Sequence, residues 1–332
     1  MTTAPLPATP PAASGAFRTP EAGFSLVETL VALLILLVAM AGVMSGMLQF
    51  SRTQSTVWNR ANMHGSVRSA TELLQQEVGQ AGRVSLPSTV TMSTTISAPT
   101  TATVTVSSTA GMFPGEQLVI DAGDHEETVV VSAVNSPTSF TATFALPHAP
   151  SGGDNPPVTV RGGFANGVVP CATQASCPGS TVTTSYTDGS TGSVLKLFGD
   201  INGDGSMVYV EYVCDTDVGN LYRNMMPFDA ASKPLVSASQ VLLSNILPNP
   251  GGTACFTYEQ RTVNHITYVV NVAISLTTRT QLRDQVTRQF QTETKALLNV
   301  APRNVFDVWQ LASIGAANRV QTIPDKTRLL LH

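Results

Sequence analysis

Gly23-Phe24-Ser25-Leu26-Val27-Glu28 stands directly before an apolar run from Thr29 to about Phe50, and Glu28 is the one carboxylate at the edge of a segment otherwise without charge. A run of about 20 apolar residues is long enough to cross a bilayer as a helix. An ionised carboxylate in lipid is costly, so such a residue normally has a partner and a role. No small-residue cleavage site of the secretory kind follows the run. Residues 1–22 are rich in Pro, Ala and Thr and hold no apolar core of their own. The competing reading is an uncleaved signal anchor with an incidental Glu.

The order glycine, aromatic, small polar, two aliphatics, glutamate resembles the type III signal of type IV prepilins and of type II secretion pseudopilins. The resemblance implies a prepilin peptidase that cuts after Gly23 and methylates the new amine at Phe24. Residues 1–23 would then be a leader, and Glu28 would help to dock the helix among its neighbours. The leader departs from the family in carrying only Arg18, opposed by Glu21. Charge bias therefore says little about orientation, which rests on the motif. Residues four apart on a helix share a face. The Phe24 amine can thus meet a Glu28 carboxylate within one chain or across two. Gly42 and Gly46 form a Gly-x-x-x-Gly pair that permits close helix approach, or simple tolerance of small residues.

The 332 residues suffice for an anchor and one or two compact domains, and the formal net charge is -4. No basic patch marks a nucleic-acid binder. Cys171, Cys177, Cys214 and Cys255 all lie beyond the apolar run. In an oxidising compartment they favour disulfides. Cys171 with Cys177 and Cys214 with Cys255 is the preferred pairing, although four cysteines allow three connectivities. A zinc site needs tighter spacing.

Residues 24–50 and 51–84 read as the membrane and outer halves of one helix. Val57, Ala61, His64, Val67, Ala70, Leu73, Leu74, Val78 and Ala81 form an amphipathic stripe on the outer half. Such a stripe needs a sheet to pack on, and the resemblance implies the same. Residues 85–165 turn to Thr, Ser and Val, with short strand-like runs at 101–106, 117–120, 127–134 and 139–144 punctuated by Gly and Pro. They read as an inserted β module, against an extended loop of the main sheet. Asp121, Asp124, Glu126 and Glu127 read as a solvated acidic turn. Residues 166–332 read as a β-rich head, with strands expected near 193–198, 207–214, 220–223, 254–259, 268–278 and 287–296 and a short helix near 237–243. The last 30 residues show no clear period. The fold class expected is α+β, pilin-like: a long N-terminal helix packed on an antiparallel sheet.

Asp200-Ile201-Asn202-Gly203-Asp204-Gly205 with Glu211 satisfies a calcium-loop pattern. Asp200, Asn202, Asp204 and Glu211 would supply the oxygens that Ca²⁺ prefers. Asn-Gly and Asp-Gly are equally the dipeptides of an ion-free hairpin turn, and Glu211 falls in a strand-like run. The stretch from Asp200 to Tyr212, followed by Gly219-Asn220-Leu221-Tyr222-Arg223, is similar to the heads of PilW-type minor pilins. The five histidines are scattered, and there is no H-E-x-x-H, G-x-S-x-G or P-loop. They read as surface or helix-face residues, and no enzyme is expected. The resemblance implies a minor pilin at a filament tip or in its initiation complex, anchored in the bacterial inner membrane with its head in the periplasm. Its partners would be the peptidase, the major and other minor pilins, the assembly platform and lipid. A J-type pseudopilin and a membrane-anchored binding module remain open beside it.

Overall fold

The computed structural model describes residues 23–150, 157–315 and 320–332. The leader, with Arg18 and Glu21, lies outside the described residues. Helix α1 (Leu26–Gln80) is 55 residues long. The chain divides into two compact units between Gln54 and Ser55, inside α1.

In the first unit every described residue of 23–54 is exposed. In the second, α1 buries Met63, Val67, Ala70, Leu74 and Val78, a spacing of three and four that keeps one face on the core. The expected stripe began at Val57. The structure starts it at Met63, because Val57 is 60% exposed.

Gly82 ends the helix at φ +84°, a left-handed conformation that a side chain resists. A Cβ there would lie 2.4 Å from the Ala165 carbonyl oxygen. The close approach lets the Gly82 N–H donate to Phe198 O at 3.0 Å and its carbonyl accept from Ala165 N at 2.6 Å.

The next strands are β1 (Val90–Met92), β2 (Thr100–Thr105), β3 (Gln117–Ile120), β4 (Glu127–Ser136), β5 (Ser139–Phe144) and β6 (Val158–Gly162). They form one six-stranded sheet in the order β1-β6-β3-β4-β5-β2. Met92 bridges Val106, just past β2, so the sheet closes on itself. Its interior is a separate cluster that includes Val104, Leu118, Ile120, Phe140 and Phe144. Thr101–Thr143 and Thr103–Thr141 pair hydroxyls at 2.8 Å on the outer face. That alternation explains a Thr-rich sequence with a dry inside.

Beyond β7 (Phe164–Ala165) come β8 (Val194–Gly199), β9 (Val208–Asp215), β10 (Asn220–Pro227), β11 (Val241–Ser244), β12 (Ile246–Leu247), β13 (Phe256–Val263), β14 (Ile266–Arg279) and β15 (Thr292–Val300). Two four-stranded antiparallel sheets result, β11-β10-β9-β8 and β12-β14-β13 with β15 beside β14. A left-handed Asn245 separates β11 from β12, so one kinked stretch hands the chain from one sheet to the other. Leu195, Leu197, Val208, Val210, Tyr212, Val272 and Ile274 meet the α1 stripe in a shared core. The α+β class and the helix packed on antiparallel sheets are therefore observed. The expected helix near 237–243 is a single turn at Ala238–Gln240 followed by β11. The stretch without a clear period holds helix α2 (Arg303–Ser313), then β16 (Val320–Gln321) and α3 (Asp325–Arg328). Helix α2 sets Val305, Val308 and Ala312 into the same core.

Candidate assembly and processing site

Gly23 and Phe24 precede the first helical residue, and Phe24 is 80% exposed. Ser25 caps α1: its hydroxyl accepts the Glu28 N–H at 3.2 Å, and its carbonyl accepts Thr29 N–H and Oγ1–H. Ser25-x-x-Glu28 is the capping-box spacing. Glu28 thus lies in the first turn, where the helix dipole favours negative charge. Its side chain is exposed. A Cβ built on Gly42 or Gly46 meets nothing within 4 Å. Among the described residues nothing requires glycine at either position.

Among the described residues the apolar side chains of this segment are left exposed. Leu26, Val27, Leu37, Val38 and Phe50 are each between 67% and 80% exposed. Soluble monomers rarely expose so large a contiguous apolar surface. The helix is long and apolar enough to cross a membrane.

Both disulfides are formed as preferred, Cys171–Cys177 and Cys214–Cys255. The second ties β9 to the residue before β13.

The structure corrects the calcium pattern at Glu211. The β8–β9 hairpin closes at Gly199 and Val208, while Glu211 pairs up the ladder with Lys196. Glu211 is buried and accepts from Tyr209 Oη at 2.8 Å and Lys233 Nζ at 3.1 Å. It is therefore committed away from the loop. Asp200 Oδ1 accepts the Asp204 N–H at 3.0 Å, and Asp204 Oδ1 accepts the Ser206 N–H at 2.8 Å. These are the bonds of a self-satisfied turn. Asn202 turns its amide toward Met225 Sδ at 3.9 Å. Asp200 Oδ2 is buried without a hydrogen bond, 3.9 Å from Arg83 Nε. Gly205, at φ +82°, presses on Pro87. Among the described residues no group of three His, Cys, Asp or Glu side chains is arranged for a metal.

Three buried polar arrangements escaped the sequence reading. Glu77 of α1 accepts from Tyr212 Oη at 2.5 Å and from Arg223 Nε and Nη2 at 3.0 and 2.5 Å. Arg223 and Tyr212 are cross-strand partners, so one rung presents both donors to one carboxylate. Burial works against the Arg223 charge, and Glu77 more than restores it, holding the guanidinium pKa above its ordinary value. An acidic residue inside the 70, 74, 78, 81 stripe was the available signal.

His148 is the second. Its Nδ1 lies 3.0 Å from Asp121 Oδ2 and its Nε2 2.7 Å from Glu127 Oε1. Both ring nitrogens thus lie within hydrogen-bond distance of a carboxylate. This histidine is buried, not a surface residue. The acidic turn is likewise partly enclosed around it, with Glu126 paired to Arg161. Other histidines also carry pairs: His64 with Glu293 and His332 with Asp188.

Glu116 is the third. Burial pushes its carboxyl up to about 8, opposed by the Phe113 N–H. Its Oε1 has no hydrogen-bond partner.

No curated protein and no solved structure matches the chain. The family model of the prokaryotic N-terminal methylation motif matches residues 18–44. The matched segment covers the glycine, the aromatic, the capped first turn and most of the exposed apolar segment. It carries the N-terminal methylation motif of prokaryotes, consistent with the type IV prepilin and pseudopilin family.

Proposed function

We propose that the chain is a minor pilin, a structural subunit of a type IV pilus-like filament. The observation that carries this is the apolar face of α1, exposed from Leu26 to Phe50 directly behind the methylation motif. Prepilin peptidase removes residues 1–23 and methylates Phe24. The helix holds the precursor in the inner membrane, with the head in the periplasm, until it moves into a filament of similar helices. There the Phe24 amine and Glu28 carboxylate of adjacent subunits neutralise one another, and Gly42 and Gly46 let helices close. The motif marks subunits of assembly machines, and no catalytic role is assigned.

The bulk of the head favours a low-copy place at the tip or in the initiation complex. We read residues 85–165 as an inserted module because they close around their own core. A head of this kind suits contact with an external surface. A J-type pseudopilin of a type II secretion machine shares the same processing.

N-terminal peptide mass analysis of protein from native membranes tests the reading. The expected chain starts at N-methylated Phe24. A chain that retains residues 1–23 in cells with active prepilin peptidase would sink it. In processed protein, Glu28→Ala should abolish incorporation into filaments while leaving cleavage and head folding intact.

A further inference from the structure

The loop between β14 and β15 (residues 280–291) is built around a carboxylate that its own chain satisfies. Asp284 Oδ1 accepts the N–H groups of Val286 and Thr287 at 2.7 and 2.8 Å, and Oδ2 accepts Gln291 Nε2 at 3.0 Å. The Thr287 N–H, with those of Val286 and the Thr56 hydroxyl, holds this carboxyl below its ordinary range. Asp284 N–H donates to Gln289 O and Asp284 O accepts from Arg288 N–H. The only acidic side chain of the loop is thereby turned inward and spent.

What faces outward is apolar and basic. Leu282 and Val286 are 63% and 70% exposed. Arg279, Arg283 and Arg288 are exposed. Arg279 and Arg283 lie over the Phe290 ring at 4.7 and 5.2 Å, a cation–π arrangement that holds both guanidinia in place. Three arginines less one aspartate give this segment +2 in a chain of net charge -4. The next acidic side chain, Glu293, is paired with His64.

The loop is pinned to the first part of α1 in the head unit. Asn59 Nδ2 donates to Leu282 O at 2.6 Å and Leu282 N–H donates to Asn59 Oδ1 at 3.3 Å. Thr56 donates to Asp284. Six residues separate Phe50 from Thr56 and nine separate it from Asn59. At helical rise these amount to about 9 and 13 Å of chain. The headgroup layer beyond the hydrocarbon is about 5–8 Å thick, a length comparable to that stretch of chain. Trp58, an interfacial residue type, is exposed between the two anchor points.

We infer that residues 279–290 form a docking patch for anionic phospholipid headgroups, with Arg279, Arg283 and Arg288 on phosphates and Leu282 and Val286 entering the interface. The patch holds the head against the bilayer before the subunit leaves it. The inference rests on the reading that residues 24–50 span a membrane. Continuity with that span and the mixture of aliphatic and guanidinium groups favour lipid over an acidic protein surface. A basic residue near an anionic membrane contributes about fivefold to binding.

The test uses the full chain in vesicles that carry a lipid-borne quencher, with one environment-sensitive probe at Val286→Cys and, separately, one at Met40→Cys. The four cysteines are paired in disulfides, so each probe labels one site. The Met40 probe should be quenched in every vesicle. The Val286 probe should be quenched in phosphatidylglycerol-rich vesicles, weakly in pure phosphatidylcholine, and little in either once Arg279, Arg283 and Arg288 are changed to Gln. An unquenched Val286 probe beside a quenched Met40 probe overturns the patch alone and points to a protein partner. Equal quenching in both lipids, or no effect of the three substitutions, also overturns it. An unquenched Met40 probe removes the membrane reading and the patch together.

Discussion

Replacing Glu77 with Gln tests how the helix is held on the sheet. The side chain keeps its shape and loses its charge. Arg223, 22% exposed at its side chain, is then left with no carboxylate, and the single amide oxygen can replace the acceptor of Arg223 or of Tyr212 but not of both. Breaking a fully buried pair costs about 3–5 kcal/mol. Partial exposure of Arg223 places this one at the lower end, about 3 kcal/mol. With a urea dependence of about 3 kcal/mol per molar, the unfolding midpoint of the head falls by about 1 M. The assay is urea unfolding of the full chain in detergent with disulfides intact. A double-mutant cycle with Arg223→Met isolates the coupling. Glu72→Ala, which breaks the exposed Arg68–Glu72 pair, should leave the midpoint unchanged. A loss under about 1 kcal/mol for Glu77→Gln, or strict additivity with Arg223→Met, refutes the idea that this carboxylate locks α1 to β9 and β10.

Three further outcomes are expected. Glu116, with a folded pKa of about 8, binds its proton more tightly folded than unfolded. Its contribution is therefore complete below about pH 4.5 and is lost as pH rises toward 8; Glu116→Gln should flatten that slope in melting temperature and stabilise the protein at pH 8. His148→Ala leaves Asp121 and Glu127, 19% and 10% exposed, facing one another without the buried ring that bridges them. It should cost about 3 kcal/mol, read as early hydrogen exchange confined to β3, β4 and the 145–150 segment. Opening Cys214–Cys255, separated by 41 residues, should cost about 4 kcal/mol by loop entropy, and opening Cys171–Cys177, separated by 6, about 2 kcal/mol. Paired Cys→Ser variants compared by urea midpoint check that order.

The strand at 139–144 was legible to the residue because Phe140, Ala142 and Phe144 alternate with Thr141 and Thr143 on a two-residue period, and the one at 117–120 because a short apolar run, Leu118-Val119-Ile120, stands between turn residues. Helix α2 was missed. Val305, Val308 and Ala312 stand at the i, i+3, i+7 spacing of one helical face, a signal that the sequence held and the reading passed over. Val57 and Ala61 fit the helical stripe by spacing, yet no part of the head covers them, so periodicity overstated the buried length. The calcium pattern failed at Glu211 for a related reason. Spacing along the chain says nothing of which hairpin face a side chain takes, and Tyr209 and Lys233 claimed that carboxylate first.

By itself the sequence determined the methylation motif, the apolar span behind it, the α+β class and most of the strands. These are signals of local order and short-period patterning, where neighbours in the chain decide the outcome. Tertiary structure alone decided that Glu77 meets Arg223 across 146 residues, that His148 sits between Asp121 and Glu127, and that the 280–291 loop is tied to Asn59. Each of these joins polar groups from distant segments. Their burial is tolerable only with a partner in place, and the fold, not the chain order, chooses the partner.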